Sequence, residues 1–424
     1  MSGKKTFLGF GLGAIQSGLM LLEAKKSGNF KRFVVVEVNE RLVDEVRRAG
    51  NSIIVNIAKK GGIDKFHLDD IEIYNPNKTE DVLKIKRALN EADEMATAIP
   101  SVDYYDSGEN SIVTLLAENI NPAKGQILYA SENNNFAAEI LTEKIRRLSV
   151  KGKLKNFQAL NTVIGKMSGV IQDEKTIDEL DLDTITKESS YAVLVEEFNA
   201  IIISKIKLPK YRKGIEVYVE KEDLLPFEEA KLFGHNAVHS MLGFLAYFKG
   251  YKYMSEIKND AQLWAYGETA FEKESGAFLL KKYNYLNEPL FTQQGFKFYG
   301  EDLLERMVNP YLRDEVQRIC RDPLRKLGYD DRLAGTIREA LKQDIAAETM
   351  ALGVLAGIGF LIEEHIDIGI ELPDKISSIN KKKVEKTLRY IWKNAQDDGL
   401  KQRCLDLITS QCDEFRKNIA TQSD

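Results

Sequence analysis

The fold of the N-terminal half is decided by the stretch Phe7-Leu-Gly-Phe-Gly-Leu-Gly-Ala-Ile-Gln-Ser-Gly18. It follows an apolar run that predicts a strand over Lys5–Phe10, and it opens a helix. Gly11 and Gly13 stand where a dinucleotide-binding loop needs a tight turn and close backbone approach to a pyrophosphate. The N–H groups at the start of the following helix would face that phosphate. Gln16 occupies the place of the usual third glycine, so the assignment depends on its context.

The next strand supplies that context. A strand predicted over Phe33–Val38 carries Glu37 near its end, about where such folds place the acceptor for the ribose. A carboxylate there accepts hydrogen bonds from the adenosine ribose and repels a 2′-phosphate, so we expect NAD rather than NADP. A strand predicted over Glu94–Ile99 ends in small residues over which the cofactor could lie. The expected cofactor-binding residues are Gly11, Leu12, Gly13, Ala14, Ile15, Glu37, Ala98 and Asn133.

The first two hundred residues alternate strand-like runs with amphipathic helical segments, which is typical of a parallel sheet with right-handed crossovers. From about Leu225 onward, long helical patterns replace this alternation. We therefore predict an α/β fold, with a Rossmann-type dinucleotide-binding domain over 1–210 and an all-α domain over 211–424. The remaining predicted strands are Ser52–Ile57, Gln126–Ser131, Phe157–Val163 and, as a possible antiparallel addition, Tyr191–Phe198 and Ala200–Ser204.

The composition is ordinary for a globular protein, with 43% hydrophobic and 29% charged residues and a formal net charge of −5. The negative charge argues against a general nucleic-acid binder. The longest apolar run, Met350–Ile362, is too short to span a bilayer and predicts a buried helix. The chain does not open on a signal-peptide pattern. We expect a cytoplasmic protein, monomeric or homodimeric, that binds neither membrane nor nucleic acid.

Three polar residues of the second half stand close together in the chain. Lys231, Asn236 and His239 would fall within an arc of about 140° on an α-helix, so they can face one side. Such residues are also common on helix surfaces, and the spacing alone does not decide between the two readings. His235, beside them, is expected to be structural.

These residues resemble the marker of the long-chain polyol dehydrogenase family, in which a lysine is followed by asparagine five residues on and by histidine three further. Within the family, the sequence is most similar to the mannitol-1-phosphate 5-dehydrogenases. The resemblance covers most of the chain in collinear order. It includes the glycine loop, Val36–Asn39, Ala98–Pro100, Ala130–Asn134, Glu274–Tyr283 and Asn309–Leu327.

The resemblance implies that Lys231 is the general base, that Asn236 and Asn161 hold the carbinol oxygen, and that His239 orients the substrate or the lysine. An ordinary lysine, with a pKa near 10.4, is a poor base, but burial beside a charged nicotinamide should lower that pKa. The implied reaction is the NAD-dependent interconversion of mannitol 1-phosphate and fructose 6-phosphate.

The substrate stays open at this point, because Gly165 and Lys166 stand where the family usually has an acidic–arginine pair. The alternatives are a free polyol such as mannitol, a hexonate/hexuronate pair such as altronate and tagaturonate, or a non-catalytic NAD-binding regulatory protein. A substrate phosphate would need cationic partners, among which the sequence does not choose. The candidates are Lys281, Lys282, Arg313, Arg318, Arg321, Arg325, Lys326 and Arg332.

Four histidines and three cysteines are scattered without the spacing of a metal site, so we expect no metal. Exhaustive EDTA treatment should therefore leave turnover unchanged. A loss of activity that zinc or manganese restores would overturn a mechanism based on lysine alone.

Overall fold

The structure, a computed structural model, describes residues 4–418. Contacts divide the chain after Phe227 into two compact units. The boundary predicted after residue 210 lies before strand β12 (Val219–Lys221), which pairs within the sheet of the first unit.

The first unit alternates strands and helices. Its strands are β1 Lys5–Phe10, β2 Phe30–Val36, β3 Ile53–Lys59, β4 Gly62–Leu68, β5 Ile71–Tyr74, β6 Glu94–Thr97, β7 Gln126–Ala130, β8 Phe157–Val163, β9 Ser168–Ile171, β10 Ala192–Glu196, β11 Ile202–Ser204 and β12 Val219–Lys221. Its helical segments are π1 Gln16–Leu21, α1 Leu22–Ser27, α2 Glu40–Arg48, α3 Thr79–Glu91, a 3₁₀ turn at Val102–Tyr104, α4 Ile112–Asn119, α5 Ala137–Leu148 and α6 Glu174–Glu179.

The large sheet has the strand order β12-β11-β8-β7-β6-β1-β2-β5. From β8 to β5 all neighbouring strands are parallel, and β11 adds antiparallel to β8. Alternate residues of β1 enter opposite cores, since Phe7 packs on one face of the sheet and Leu8 and Phe10 on the other. Burial on both faces explains why these strands read as continuous apolar runs. The predicted α/β class is confirmed.

Two predicted strands lie in a different sheet. β3, expected over Ser52–Ile57 as part of the parallel alternation, belongs to a smaller sheet of order β4-β3-β10-β9. It forms a hairpin with β4, where Lys59 pairs with Gly62 across a tight turn. β10, expected over Tyr191–Phe198 as an antiparallel addition, lies in the same smaller sheet, where it pairs parallel with β3 and antiparallel with β9. The third strand of the parallel sheet is β5, a four-residue strand that was not predicted. Strand alternation identifies strands but does not say which sheet each one joins.

The second unit is helical. Helix α7 Leu225–Glu229 spans the division, and π2 Ala230–Asn236 follows it directly. The further helices are α8 Ala237–Phe248, α9 Ala261–Thr269, π3 Ala270–Ser275, α10 Gly276–Tyr283, α11 Gln293–Met307, α12 Val316–Ile319, α13 Pro323–Lys326, α14 Arg332–Leu341, α15 Glu348–Glu363, α16 Lys381–Ile391, α17 Lys401–Ser410 and α18 Cys412–Asn418, with short 3₁₀ turns at Met254–Asn259, Asn284–Leu286, Pro289–Phe291, Pro310–Leu312 and Ile376–Ser378.

Helix α15 lies at the centre of this unit. Every residue from Thr349 to Ile362 is buried, which confirms the buried helix predicted from the apolar run. Gly353 lets α15 approach α8 closely, because a Cβ there would lie 2.6 Å from Met241 Cγ. Among residues 4–418, none of the helices combines the length and apolarity that a bilayer span requires.

The departure from the usual glycine pattern has a structural reason. Gln16 is fully buried, and its amide fills the space beside Gly9, where a Cβ would lie 2.0 Å from Gln16 Nε2. Gly18 instead provides a close approach of the helix to a strand, since a Cβ there would lie 2.3 Å from Val195 Cγ1 on β10. The first helix is therefore fixed between two sheets.

Gly18→Ala should destabilise the first unit by about 1–3 kcal/mol, the usual cost of overpacking a core. The measurement is chemical or thermal unfolding. Gly61→Ala is the matched control, because a Cβ there would meet nothing within 4 Å, and it should change stability by less than about 0.5 kcal/mol. Equal stability of the two variants would show that the packing at Gly18 is loose.

Candidate active site

Gly11 turns the chain from β1 into the first helix. Its φ of 82° lies in the left-handed region that favours glycine. Its amide donates to the carbonyl of Val36 at 2.8 Å. A Cβ here would lie 2.9 Å from the carbonyl oxygen of Ala98. Both the turn and the close approach of the residue that follows β6 therefore require a glycine.

Glu37 follows β2 and is buried. One carboxylate oxygen accepts the Leu12 N–H at 2.7 Å, and the other accepts the Asn39 N–H at 2.8 Å. These bonds tie the glycine loop to the end of the second strand. Because each carboxylate oxygen has two lone pairs, both can still accept a hydrogen bond from a ligand hydroxyl.

A cavity of about 650 Å³ lies at the ends of β1 and β2 and just beyond β6. The strand order reverses at β1, and open α/β sheets bind ligands at such a point. Asn133 is exposed and is not among the lining residues. All the other expected cofactor-binding residues line the cavity, namely Gly11, Leu12, Gly13, Ala14, Ile15, Glu37 and Ala98.

The cavity fits a dinucleotide. A Cβ on Gly13 would meet nothing within 4 Å, so the missing side chain leaves open space where the helix begins. The first N–H groups of a helix lack intrahelical acceptors and favour an anion such as a pyrophosphate. Glu37 provides a carboxylate for ribose hydroxyls in the same cavity.

Sequence reasoning missed the part of the lining that follows β5, β6 and β7. The alternation of Ile71 and Ile73 with polar residues could have revealed β5, but the run is only four residues long. The segment after β6 has no regular pattern and could not be placed from sequence. The missed lining residues include Pro76, Tyr104, Ser107, Asn110, Ser111, Ile112, Leu115 and Ser131.

A buried carboxylate fixes the wall that follows β6. Glu132 accepts hydrogen bonds from Thr97 Oγ1 at 2.8 Å, from the Ile99 N–H at 3.1 Å and from the Tyr105 hydroxyl. Burial, and next the charge of Glu132, raise the pKa of Tyr105 far above its ordinary value, so the phenol stays a donor. Glu132 is thus a positioning residue for the cavity wall that sequence reasoning overlooked.

Asn161 lies in the first unit, on β8, and is buried. Its Oδ1 accepts the Ala138 N–H at 2.8 Å, and its Nδ2 donates to Glu139 Oε2 at 2.7 Å. Both bonds anchor the start of α5, so much of this amide is used within the protein. Its predicted part in holding the substrate stays a prediction.

Lys166 is also buried, and its ammonium donates to the main-chain carbonyls of Glu196 and Phe198, at 2.7 Å for the latter. This residue therefore stabilises the turn after β10. The departure from the family pattern at Gly165-Lys166 thus has a structural role in this chain.

Lys231 and Asn236 lie in the second unit, in π2. In a π-helical turn the hydrogen bonds run from i to i+5, so residues five positions apart come to the same face. The angle between Lys231 and Asn236 around the helix axis is therefore smaller than in the α-helix that was assumed from the sequence. His239 follows one turn later in α8. Single π-turns are frequent at functional sites.

The electrostatics of Lys231 suit a base. Burial, and next the charge of Arg332, lower the pKa of Lys231 to about 8, while the charge of Glu228 opposes the shift. Within the part of the chain that the structure describes, neither Lys231 Nζ nor the Asn236 carboxamide has a hydrogen-bond partner. Both groups are therefore available to a ligand.

His239 is placed by a carboxylate. Its Nε2 lies 3.0 Å from Asp314 Oδ2, within ion-pair distance, although the angle is outside the range of a hydrogen bond. Burial raises the pKa of Asp314, but His239 and Arg318 outweigh it and the net pKa is lowered. His235 is buried, and burial holds its pKa well below the ordinary value, so it is neutral.

No group of three or more histidine, cysteine, aspartate or glutamate side chains within residues 4–418 is arranged to hold a metal ion.

Comparisons with known proteins find similarity to mannitol dehydrogenases. Residues 223–397 match the family model of the mannitol dehydrogenase C-terminal domain. The chain is 28% identical to a mannitol-1-phosphate 5-dehydrogenase of Caldanaerobacter subterraneus, over 84% of this chain and 86% of the relative. It is 26% identical to that of Thermoanaerobacter pseudethanolicus, over 96% of this chain and 98% of the relative.

Solved structures show the same fold. A D-sorbitol dehydrogenase in substrate-free form matches 100% of this chain and 98% of its own, with a TM-score of 0.76 and 12% identity. The Pseudomonas fluorescens mannitol 2-dehydrogenase, in a ternary complex with NAD and D-mannitol, matches 100% of this chain and 94% of its own, with a TM-score of 0.69 and 13% identity. The predicted family resemblance and the predicted class, a polyol dehydrogenase, are confirmed.

The protein should bind NADH at least about tenfold more tightly than NADPH, a difference of about 1.4 kcal/mol. The reason is the buried carboxylate of Glu37, which accepts ribose hydroxyls and repels a 2′-phosphate. Fluorescence titration measures both affinities. Glu37→Gln should narrow the difference, whereas Glu143→Gln, on the exposed surface of α5, should not. Equal or tighter NADPH binding by the unmodified protein would contradict the role of Glu37.

Proposed function

We propose that this protein is an NAD-dependent dehydrogenase that interconverts mannitol 1-phosphate and fructose 6-phosphate, with Lys231 as general base. The observation that carries the proposal is the lowered pKa of Lys231, beside the unpartnered amide of Asn236, in a domain that matches mannitol dehydrogenases. The phosphorylated substrate is favoured because the relatives described above are named mannitol-1-phosphate 5-dehydrogenases.

The cofactor belongs in the cavity of the first unit. Gly11, Gly13 and the start of the first helix would hold the pyrophosphate, and Glu37 would hold the adenosine ribose. When bound, NAD supplies the acceptor for the hydride that leaves the carbinol carbon. The complex of mannitol 2-dehydrogenase with NAD supports this choice of cofactor.

The remaining step is a proton transfer by this chain. Lys231 Nζ, in its neutral form, takes the proton of the substrate hydroxyl as general base. The N–H groups of Asn236, and those of Asn161 as the resemblance implies, donate to the oxygen as negative charge develops on it. His239, held beside Asp314, orients the hydroxyl or the lysine. These groups bind and orient the substrate without a metal.

The protein then acts on a small sugar alcohol or sugar phosphate and needs neither nucleic acid nor membrane as a partner. We place it in the cytoplasm, as a monomer or homodimer. Oxidation rates with NAD should be compared for mannitol 1-phosphate, mannitol and altronate. The proposed reaction requires that mannitol 1-phosphate is oxidised fastest.

Lys231→Ala should lower turnover by about 10²–10⁴-fold, because general-base catalysis typically contributes that much. Binding of NADH should be unchanged, since the cofactor cavity belongs to the other unit. Stopped-flow or steady-state rates and fluorescence titration measure the two effects. Lys281→Ala is the matched control, because Lys281 is an exposed lysine of the same unit. A Lys231→Ala variant that keeps more than about a tenth of native turnover would exclude this base.

The pH dependence has a definite sign. Oxidation requires neutral Lys231, so its rate should rise with pH through about 8, the pKa to which burial lowers this lysine. Reduction requires the protonated form, so its rate should fall over the same range. Rates in both directions from pH 6 to 10 test this. An oxidation rate that is flat through about pH 8 would show that another group accepts the proton.

A further inference from the structure

The structure sorts the cations that could bind a substrate phosphate. Lys282 is paired with Glu229, Arg318 with Asp314 and Arg325 with Asp322. Lys281 donates to a main-chain carbonyl, Arg313 contacts Tyr253, and Arg321 is exposed. Lys326 is buried and donates to the carbonyls of Ile319 and Arg321. Arg332 is the remaining candidate.

Arg332 is held at one end only. Its side chain is 12% exposed, and its Nε donates to Asp331 Oδ1 at 2.8 Å. Within residues 4–418, its two terminal nitrogens have no hydrogen-bond partner. They are also absent from the polar atoms that are both buried and unpartnered, so a solute can reach them. The guanidinium is thus oriented, largely desolvated and open at its two-pronged end.

Arg332 belongs to the same side-chain cluster as the base. It begins α14, which lies against π2. The Thr336 hydroxyl of α14 donates to the Arg332 carbonyl of the same helix, and its oxygen lies 3.5 Å from the carbonyl oxygen of Phe233 in π2. A Cβ on Gly335 would lie 3.0 Å from Phe233, which confirms how closely the two segments approach. The charge of Arg332 lowers the pKa of Lys231, and it does the same to the pKa of Lys326.

The charged groups of this cluster have both signs, and the guanidinium of Arg332 is the one that stays cationic at any working pH. The acidic neighbour of Arg332, Asp331, also accepts the Arg332 N–H at 2.7 Å as the cap of α14. Lys231 and Lys326, whose pKa values are both lowered to about 8, add positive charge only when they are protonated, and Glu228 is a further carboxylate that acts on Lys231. A dianion gains more from such a site than a monoanion, because Coulomb energy scales with charge. A guanidinium also matches a phosphate with two parallel hydrogen bonds.

We infer that Arg332 binds the phosphate monoester at the end of the polyol chain and thereby selects phosphorylated over free polyols. This inference rests on the proposed function, since the phosphate belongs to the substrate of the same site. It assigns the selectivity to one side chain of α14, which neither the glycine loop nor the resemblance identifies.

Arg332→Gln should raise KM for mannitol 1-phosphate by about 10–100-fold, the range expected for a lost charge-assisted hydrogen bond of about 1.5–3 kcal/mol. KM for free mannitol should change less than about threefold. Arg332→Lys keeps the positive charge but cannot form two parallel hydrogen bonds, so its KM for mannitol 1-phosphate should lie between those of the unmodified protein and Arg332→Gln. Rates are compared on the alkaline plateau of each variant, so that a changed pKa of Lys231 does not enter. Arg325→Gln, an exposed arginine of the same stretch, is the control.

Altronate, which carries a terminal carboxylate, tests whether Arg332 selects a phosphate or binds any terminal anion. If Arg332→Gln raises KM for altronate as much as for mannitol 1-phosphate, the site binds any terminal anion and the selection of phosphate is overturned. Equal loss for mannitol and mannitol 1-phosphate in both Arg332 variants would show a structural role and would overturn the inference as well.

Calorimetric titration with inorganic phosphate tests the site without turnover. If phosphate binds the unmodified protein but not Arg332→Gln, the anion site is supported. If mannitol 1-phosphate is nevertheless not oxidised, only the proposed reaction is contradicted. If the unmodified protein oxidises mannitol 1-phosphate but Arg332→Gln binds phosphate as tightly as the unmodified protein does, only the role of Arg332 is contradicted. Circular dichroism and thermal unfolding confirm that each variant is folded.

Discussion

The close approach of Gly11 to the carbonyl of Ala98 is the constraint on which the cofactor cavity depends. It allows the chain to leave β1, turn and enter a helix while Ala98, just after β6, lies directly beside the turn. Two buried carboxylates secure the walls on either side. Glu37 holds the glycine loop to β2, and Glu132 holds the segment that follows β6. Buried carboxylates are costly unless they are hydrogen-bonded, and each of these accepts at least two donors.

The second unit uses burial for a different purpose. A protonated lysine is unfavourable in a desolvated place, and Arg332 adds repulsion, so the neutral form of Lys231 becomes accessible near neutral pH. The π-turn then presents this amine and the amide of Asn236 on one face. In a helix with only a structural role, such an amine and amide would be hydrogen-bonded within the protein or exposed to water. Their unsatisfied, sheltered state is typical of functional sites.

Several features of the fold could be predicted because they depend on local order in the chain. The bounds of β1 and β8 agree with the apolar runs that predicted them, and the burial of α15 follows from its uninterrupted apolar composition. β3 and β5 were assigned wrongly or missed, because a strand pattern does not specify its partner strand. Sheet membership depends on contacts between distant segments, such as the pairing of β3 with β10.

The sequence by itself determined the strand–turn–helix at Gly11 and the order Lys231, Asn236 and His239, since these are properties of residue type and spacing. Only the tertiary structure decided which residues complete the cavity, how the π-turn aligns Lys231 with Asn236, and which cation has free donors. Arg332 shows the reason most clearly. Eight basic residues look alike in the sequence, and they differ only in the burial and the partners that folding gives to each. Burial and pairing arise from segments far apart in the chain, so no local pattern encodes them.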